Sequence, residues 1–111
     1  MKIHESEERA AQWLSRQGLK IIDRNWHCRF GEIDIIAKEG STLVFIEVRA
    51  RSRKEFGGAA ASITPAKRDK LLTTARFYLS HLTEEPACRF DALLFDGDAA
   101  QQPQWLKNIF D

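Results

Sequence analysis

At 111 residues the chain is long enough for one hydrophobic core and too short for two, so residues 1–111 are expected to form a single domain. Hydrophobic residues make up 43% and charged residues 30%, with three prolines, a balance that excludes an intrinsically disordered chain. The net charge of +1 excludes a protein that coats nucleic acid by electrostatics alone. No apolar run approaches the roughly 20 residues needed to cross a bilayer. The N-terminus, MKIHESEERA, lacks the apolar core of a signal peptide, so the expected location is cytoplasmic.

Residues 5–17 read as an amphipathic helix, with Ala10, Trp13 and Leu14 at helical spacing and Gly18 placed to stop it. Glu7 falls on the same side as Ala10, Ala11 and Leu14. Three strands are expected next, at 19–26, 31–38 and 42–50, the last two joined by a tight turn at Glu39-Gly40 or over residues 38–41. FGGAAAS at 56–62 reads as a small-residue loop. A second helix then opens with Thr64 as N-cap and Pro65 at its first position, carrying Leu71, Leu72, Ala75, Tyr78, Leu79 and Leu82 on one stripe. Residues 88–96 look like a fourth strand, and the tail around Trp105 and Leu106 adds a short strand or turn before a final helical stub. Helix, three strands, helix, strand is the order of an α/β protein with a mixed sheet flanked by helices. Cys28 and Cys88 show no CxxC and no metal-ligand spacing to a histidine, which leaves two reduced, partly buried thiols.

The hairpin carries the chemistry. With either even-length turn, Ala37 faces Thr42, Asp34 faces Phe45 and Glu32 faces Glu47. Side chains alternate with period two, so Glu32, Asp34, Glu47 and Arg49 share a face, with Asp34 a diagonal neighbour of Glu47 at roughly 7–8 Å. Opposed carboxylates inside runs of Ile, Val, Phe and Leu are destabilising unless something cationic lies between them. A hard divalent cation held by one or two carboxylates, a main-chain carbonyl and water resolves the conflict. A plain salt-bridge cluster with Arg49 resolves it too, and spacing alone leaves both readings open.

GEIDIIAKEGSTLVFIEVRARS, followed by FGG, ITPAKRDKLLTTARFYLSHL and CRFDALLF, closely resembles the YraN-type family of small bacterial proteins. The resemblance runs from Glu7 to Phe110, and GEID and FIEVRAR are its most specific segments. That family is similar to Holliday-junction resolvases and to the restriction-endonuclease-like superfamily, whose signature is an acidic residue, a hairpin, then Glu-x-Lys. The resemblance implies a restriction-endonuclease-like domain with Asp34 and Glu47 as ligands of magnesium or manganese and the Val48 carbonyl as a further ligand. It also matches Glu7 to a first-helix acid that could bind a second metal or a water. Homodimerisation is implied as well.

Arg49 stands where the superfamily usually has lysine. Arginine cannot act as a base, so its role is expected to be electrostatic. The function implied is a metal-dependent endonuclease acting on structured or branched DNA. The alternative is a catalytically silent nuclease-fold module that binds nucleic acid or a protein partner. DNA contact is expected from Arg51, Arg53, Lys54, Lys67, Arg68 and Lys70, against a competing reading of these as a solvated basic loop and helix face. Glu32 is expected at the mouth of the site or paired with Arg24 or Arg29. Asp91 is expected in a strand-edge salt bridge, and Trp13, Trp26 and Trp105 in the core.

Overall fold

The computed structural model of the chain describes residues 3–51, 63–96 and 102–110. Its elements are α1 (Ile3–Arg16), β1 (Lys20–Cys28), β2 (Gly31–Glu39), β3 (Thr42–Arg51), α2 (Pro65–Leu79), β4 (Cys88–Asp96) and β5 (Gln104–Leu106). The order helix, three-strand meander, helix, strand is that of a restriction-endonuclease-like core. The helical stub expected at the C-terminus is not formed: Asn108 turns the chain at φ 56, and the Ile109 N–H donates to the Phe90 carbonyl at 2.8 Å. Among the described residues no helix is long and apolar enough to cross a membrane.

The five strands lie in sequence order. All neighbours are antiparallel except β3 and β4, which run parallel. A parallel pair needs a crossover, and α2 supplies it. Because side chains alternate along a strand, β2 and β3 feed two cores. Ile35, Ala37, Val44, Ile46 and Val48 meet Ala10, Ala11 and Leu14 of α1 on one face. Ile36, Leu43 and Phe45 meet Leu71 and Ala75 of α2 on the other. The tryptophans pack against these cores as expected, Trp13 edge-to-face on Trp105 at 5.8 Å and Trp26 edge-to-face on Tyr78 at 5.1 Å.

Helix α2 starts where its residues say it should. Pro65 is its first residue, and the Thr64 hydroxyl accepts the Lys67 N–H at 3.3 Å. Leu82, expected on the buried stripe, lies beyond the helix end at Leu79 and is exposed.

The β2–β3 turn differs from expectation. Glu39 pairs with Thr42, so the two turn residues are Gly40 and Ser41. Gly40 has φ +61 while Ser41 is not among the positive-φ residues, the pattern of a type II′ hairpin turn with glycine at its first central position. The register is therefore displaced by two residues: Ala37 faces Val44 and not Thr42, and Phe45 faces Ile36 and not Asp34. An even displacement preserves which face each side chain occupies.

Candidate functional site

Pairing of β2 with β3 runs from the turn to Ile35 and Ile46 and ends there. Beyond that point β2 stays with β1 as far as Gly31, and β3 stays with β4 as far as Arg51, so the sheet splits between them. In a continued ladder the Val48 N–H would meet the Ile33 carbonyl. It donates instead to Asp34 Oδ2 at 2.8 Å. A strand residue in such a pair turns its N–H and C=O to the same edge, which aims the Val48 carbonyl at the same split.

Extended one residue past the ladder's last pair, this register sets Asp34, in place of Glu32, beside Glu47, and the two carboxyl groups interact directly. Both acids are only 8% exposed. Burial, reinforced by the adjoining Glu47 carboxyl, pushes the Asp34 carboxyl up to about 8, and the Val48 N–H and Arg49 pull the other way without cancelling it. Arg49 Nη2 donates to Glu47 Oε2 at 3.2 Å. Its Nε is buried and has no hydrogen-bond partner among the described residues.

These three side chains form the floor of a cleft of about 410 Å³. Glu32, Lys67 and Lys70 also line it, as do Gly31, Leu71 and Thr74. Gly31 lets α2 come close: a Cβ there would stand 2.8 Å from Thr74 Oγ1. Sequence reasoning misses Gly31 and Thr74. The available signal is helical spacing, since Thr74 lies seven residues after Lys67 and four after Lys70.

Other expected site residues are scattered. Arg68 turns away from the cleft and sits over the Phe110 ring, 5.6 Å from its centroid. Glu7 is buried on α1 and does not line the cleft. Glu32 is exposed, and Arg24 pairs with Glu8 at 2.7 Å, so Glu32 takes the position at the mouth. Arg51 ends β3, but its side chain, together with Arg53, Lys54 and the loop at 56–62, lies outside the described residues.

Asp91 is no strand-edge residue. It lies on β4, between β3 and β5, with no exposed surface. Its carboxylate accepts from Arg89 Nε at 3.0 Å, Trp105 Nε1 at 2.9 Å and the Asn108 N–H at 2.9 Å. Arg89 also reaches Glu39 at 2.6 Å, and the two carboxylates hold it firmly protonated. The cluster ties the C-terminal segment to the sheet, away from the cleft. Cys28 is half-buried as expected, whereas Cys88 is exposed, and both are free.

No group of three His, Cys, Asp or Glu side chains that could hold a metal occurs among the described residues. Two acids and a carbonyl edge fit magnesium or manganese, which bind through few protein oxygens and keep water; they do not fit a closed zinc site.

A family model described as "Uncharacterised protein family UPF0102" matches residues 6–95. A UPF0102 protein of Nitrosomonas europaea is 49% identical over 107 residues, which span 96% of this chain and 91% of its own length. One from Nitrosospira multiformis is 45% identical over 111 residues, 100% of this chain and 93% of its own. One from Aeromonas hydrophila is 49% identical over 107 residues, 94% and 80% of the respective chains.

Proposed function

The chain belongs to the UPF0102 family, the YraN-type group that its GEID and FIEVRAR segments resemble, and on that footing we propose that it is a metal-dependent endonuclease hydrolysing phosphodiester bonds in structured or branched DNA. The observation that carries this reading is the Asp34–Glu47 pair. Two buried carboxyl groups side by side, at the point where a sheet opens to solvent, are costly to keep charged without a cation between them.

Asp34, Glu47 and the Val48 carbonyl would hold the cation, magnesium or manganese. When bound, it supplies Lewis-acid chemistry, polarising the scissile phosphate and acidifying water. Arg49 donates Nη2 to Glu47, which fixes both side chains, and the accessible part of its guanidinium, on the cleft lining, would meet a phosphate oxygen. A permanently charged guanidinium in that place stabilises the negative charge that grows on the phosphorus oxygens. It takes no proton from the attacking water. Lys67 and Lys70, on the cleft wall formed by α2, neutralise neighbouring phosphates and set the strand's course.

The test is cleavage of a four-way DNA junction in magnesium and in manganese. The wild type cuts, and Asp34→Asn and Glu47→Gln do not, while circular dichroism shows both variants folded. A wild type inert in both metals would favour the catalytically silent module.

A further inference from the structure

We propose that the β1–β2 turn and the C-terminal half of α2 form a stacking platform for unpaired nucleobases of a DNA strand whose backbone enters the cleft. The proposal rests on the nuclease reading for the path of the backbone, and deepens it by naming which part of the substrate is single-stranded.

Residues three and four apart on a helix share a side. Lys67, Lys70 and Thr74 line the cleft, and the same stripe of α2 continues to Phe77 and, one turn past it, His81. Phe30, directly before the cleft residue Gly31, packs on that stripe, its ring 5.4 Å from Phe77 edge to face. The Arg29 guanidinium lies over the Phe30 ring at 4.8 Å from its centroid and 5.9 Å from that of Phe77. Trp26 stands 6.3 Å from Phe77, and His81 4.8 Å. Lysines and aromatic rings therefore follow one another along one side of α2, from the cleft lining outward.

Phe30 and Phe77 are half-buried and so keep part of their surface accessible, and Arg29 is exposed and makes no ion pair among the described residues. A guanidinium held over an aromatic ring offers its outer face to a nucleobase and its charge to the adjoining phosphate. Paired bases hide their faces inside the duplex, so such a surface selects bases that are already unstacked. The lysines next to it hold the backbone of the same strand.

The experiment uses two labelled DNAs in the presence of EDTA, a blunt duplex and the same duplex with a single-stranded overhang containing 2-aminopurine. The wild type binds the overhang about tenfold more tightly and quenches its fluorescence, the size expected for stacking of one base. Arg29→Ala, an exposed change, removes most of that preference and the quenching, and Phe30→Leu does the same. Blunt-duplex affinity stays as in the wild type in both variants, and Arg29→Ala also keeps the wild-type melting temperature in manganese. Equal affinity of the wild type for the two DNAs, or a preference that survives Arg29→Ala, would overturn the platform. Because EDTA excludes catalysis, a protein that prefers the overhang yet never cleaves would support the platform and sink the nuclease reading alone.

Discussion

The Asp34 carboxyl stands in for a backbone carbonyl: its Oδ2 accepts the Val48 N–H at 2.8 Å, one residue past the last paired residue of β2 and two past that of β3. The strands stay tied while the space between them opens. Two substitutions separate the acceptor from the charge. Asp34→Asn keeps an oxygen for Val48 and removes one of two repelling groups, so the metal-free protein should be as stable as the wild type or more so. Asp34→Ala leaves a buried N–H without a partner, at a cost of about 1–3 kcal/mol. Urea denaturation in EDTA of the three proteins measures both.

The same carboxyl sets a pH dependence. Its folded-state pKa of about 8 stands above the model value of 3.8, so the folded protein binds this proton more tightly than the unfolded chain does. The resulting stability is complete below about pH 4 and is lost as pH rises through about 8. Glu8 and Glu39, whose pKa values arginine partners lower, act in the opposite sense and only in acid. Thermal melts of metal-free protein between pH 6 and pH 9 should therefore show the wild type losing stability relative to Asp34→Asn. Metal displaces that proton, so manganese affinity should rise over the same interval.

The two faces of α2 give a third prediction. Lys67→Glu and Lys70→Glu should each weaken DNA binding and lower the salt dependence by about one counterion, whereas Arg68→Glu should do neither, because Arg68 lies over Phe110 and not in the cleft. Binding isotherms at several salt concentrations distinguish the three. Equal effects at all three positions would make the helix start a diffuse basic surface.

Much of this was legible in local chemistry. Thr64 and Pro65 mark the start of α2 because a cap and a missing N–H act on nearest neighbours, and β4 spans residues 88–96 as its apolar run indicates. The shared face of Asp34, Glu47 and Arg49 follows from strand parity once the turn has an even number of residues. The register does not, because it hangs on which two residues turn. Gly40-Ser41 carries a type II′ signal that competes with Glu39-Gly40, and choosing between them moves every partner by two. Asp91 was illegible for another reason. Its partners Trp105 and Asn108 reach it only after the tail has folded back along β4. The contact of Phe30 with Phe77 is likewise long-range, although the stripe from Lys67 to Phe77 could be counted on a helical wheel.

Asp91 supplies a stability prediction remote from the cleft. Asp91→Ala strands Trp105 Nε1 and the Asn108 N–H and leaves Arg89 with Glu39 alone. Breaking a buried charged pair from one side costs about 3–5 kcal/mol. Denaturant melts should show this loss. Among molecules that remain folded, the metal-induced stabilisation should be unchanged, since Asp91 does not line the cleft.

The most direct measurement is the melting temperature of the metal-free protein as manganese or magnesium is added. If Asp34 and Glu47 form a metal centre, millimolar ion raises it by mass action, by about 2.7 kcal/mol of added stability at a hundredfold excess over the dissociation constant. Asp34→Asn and Glu47→Gln should erase the shift. A wild type whose melting temperature does not respond to either ion would contradict the account and make the carboxylates and Arg49 a structural ion-pair cluster.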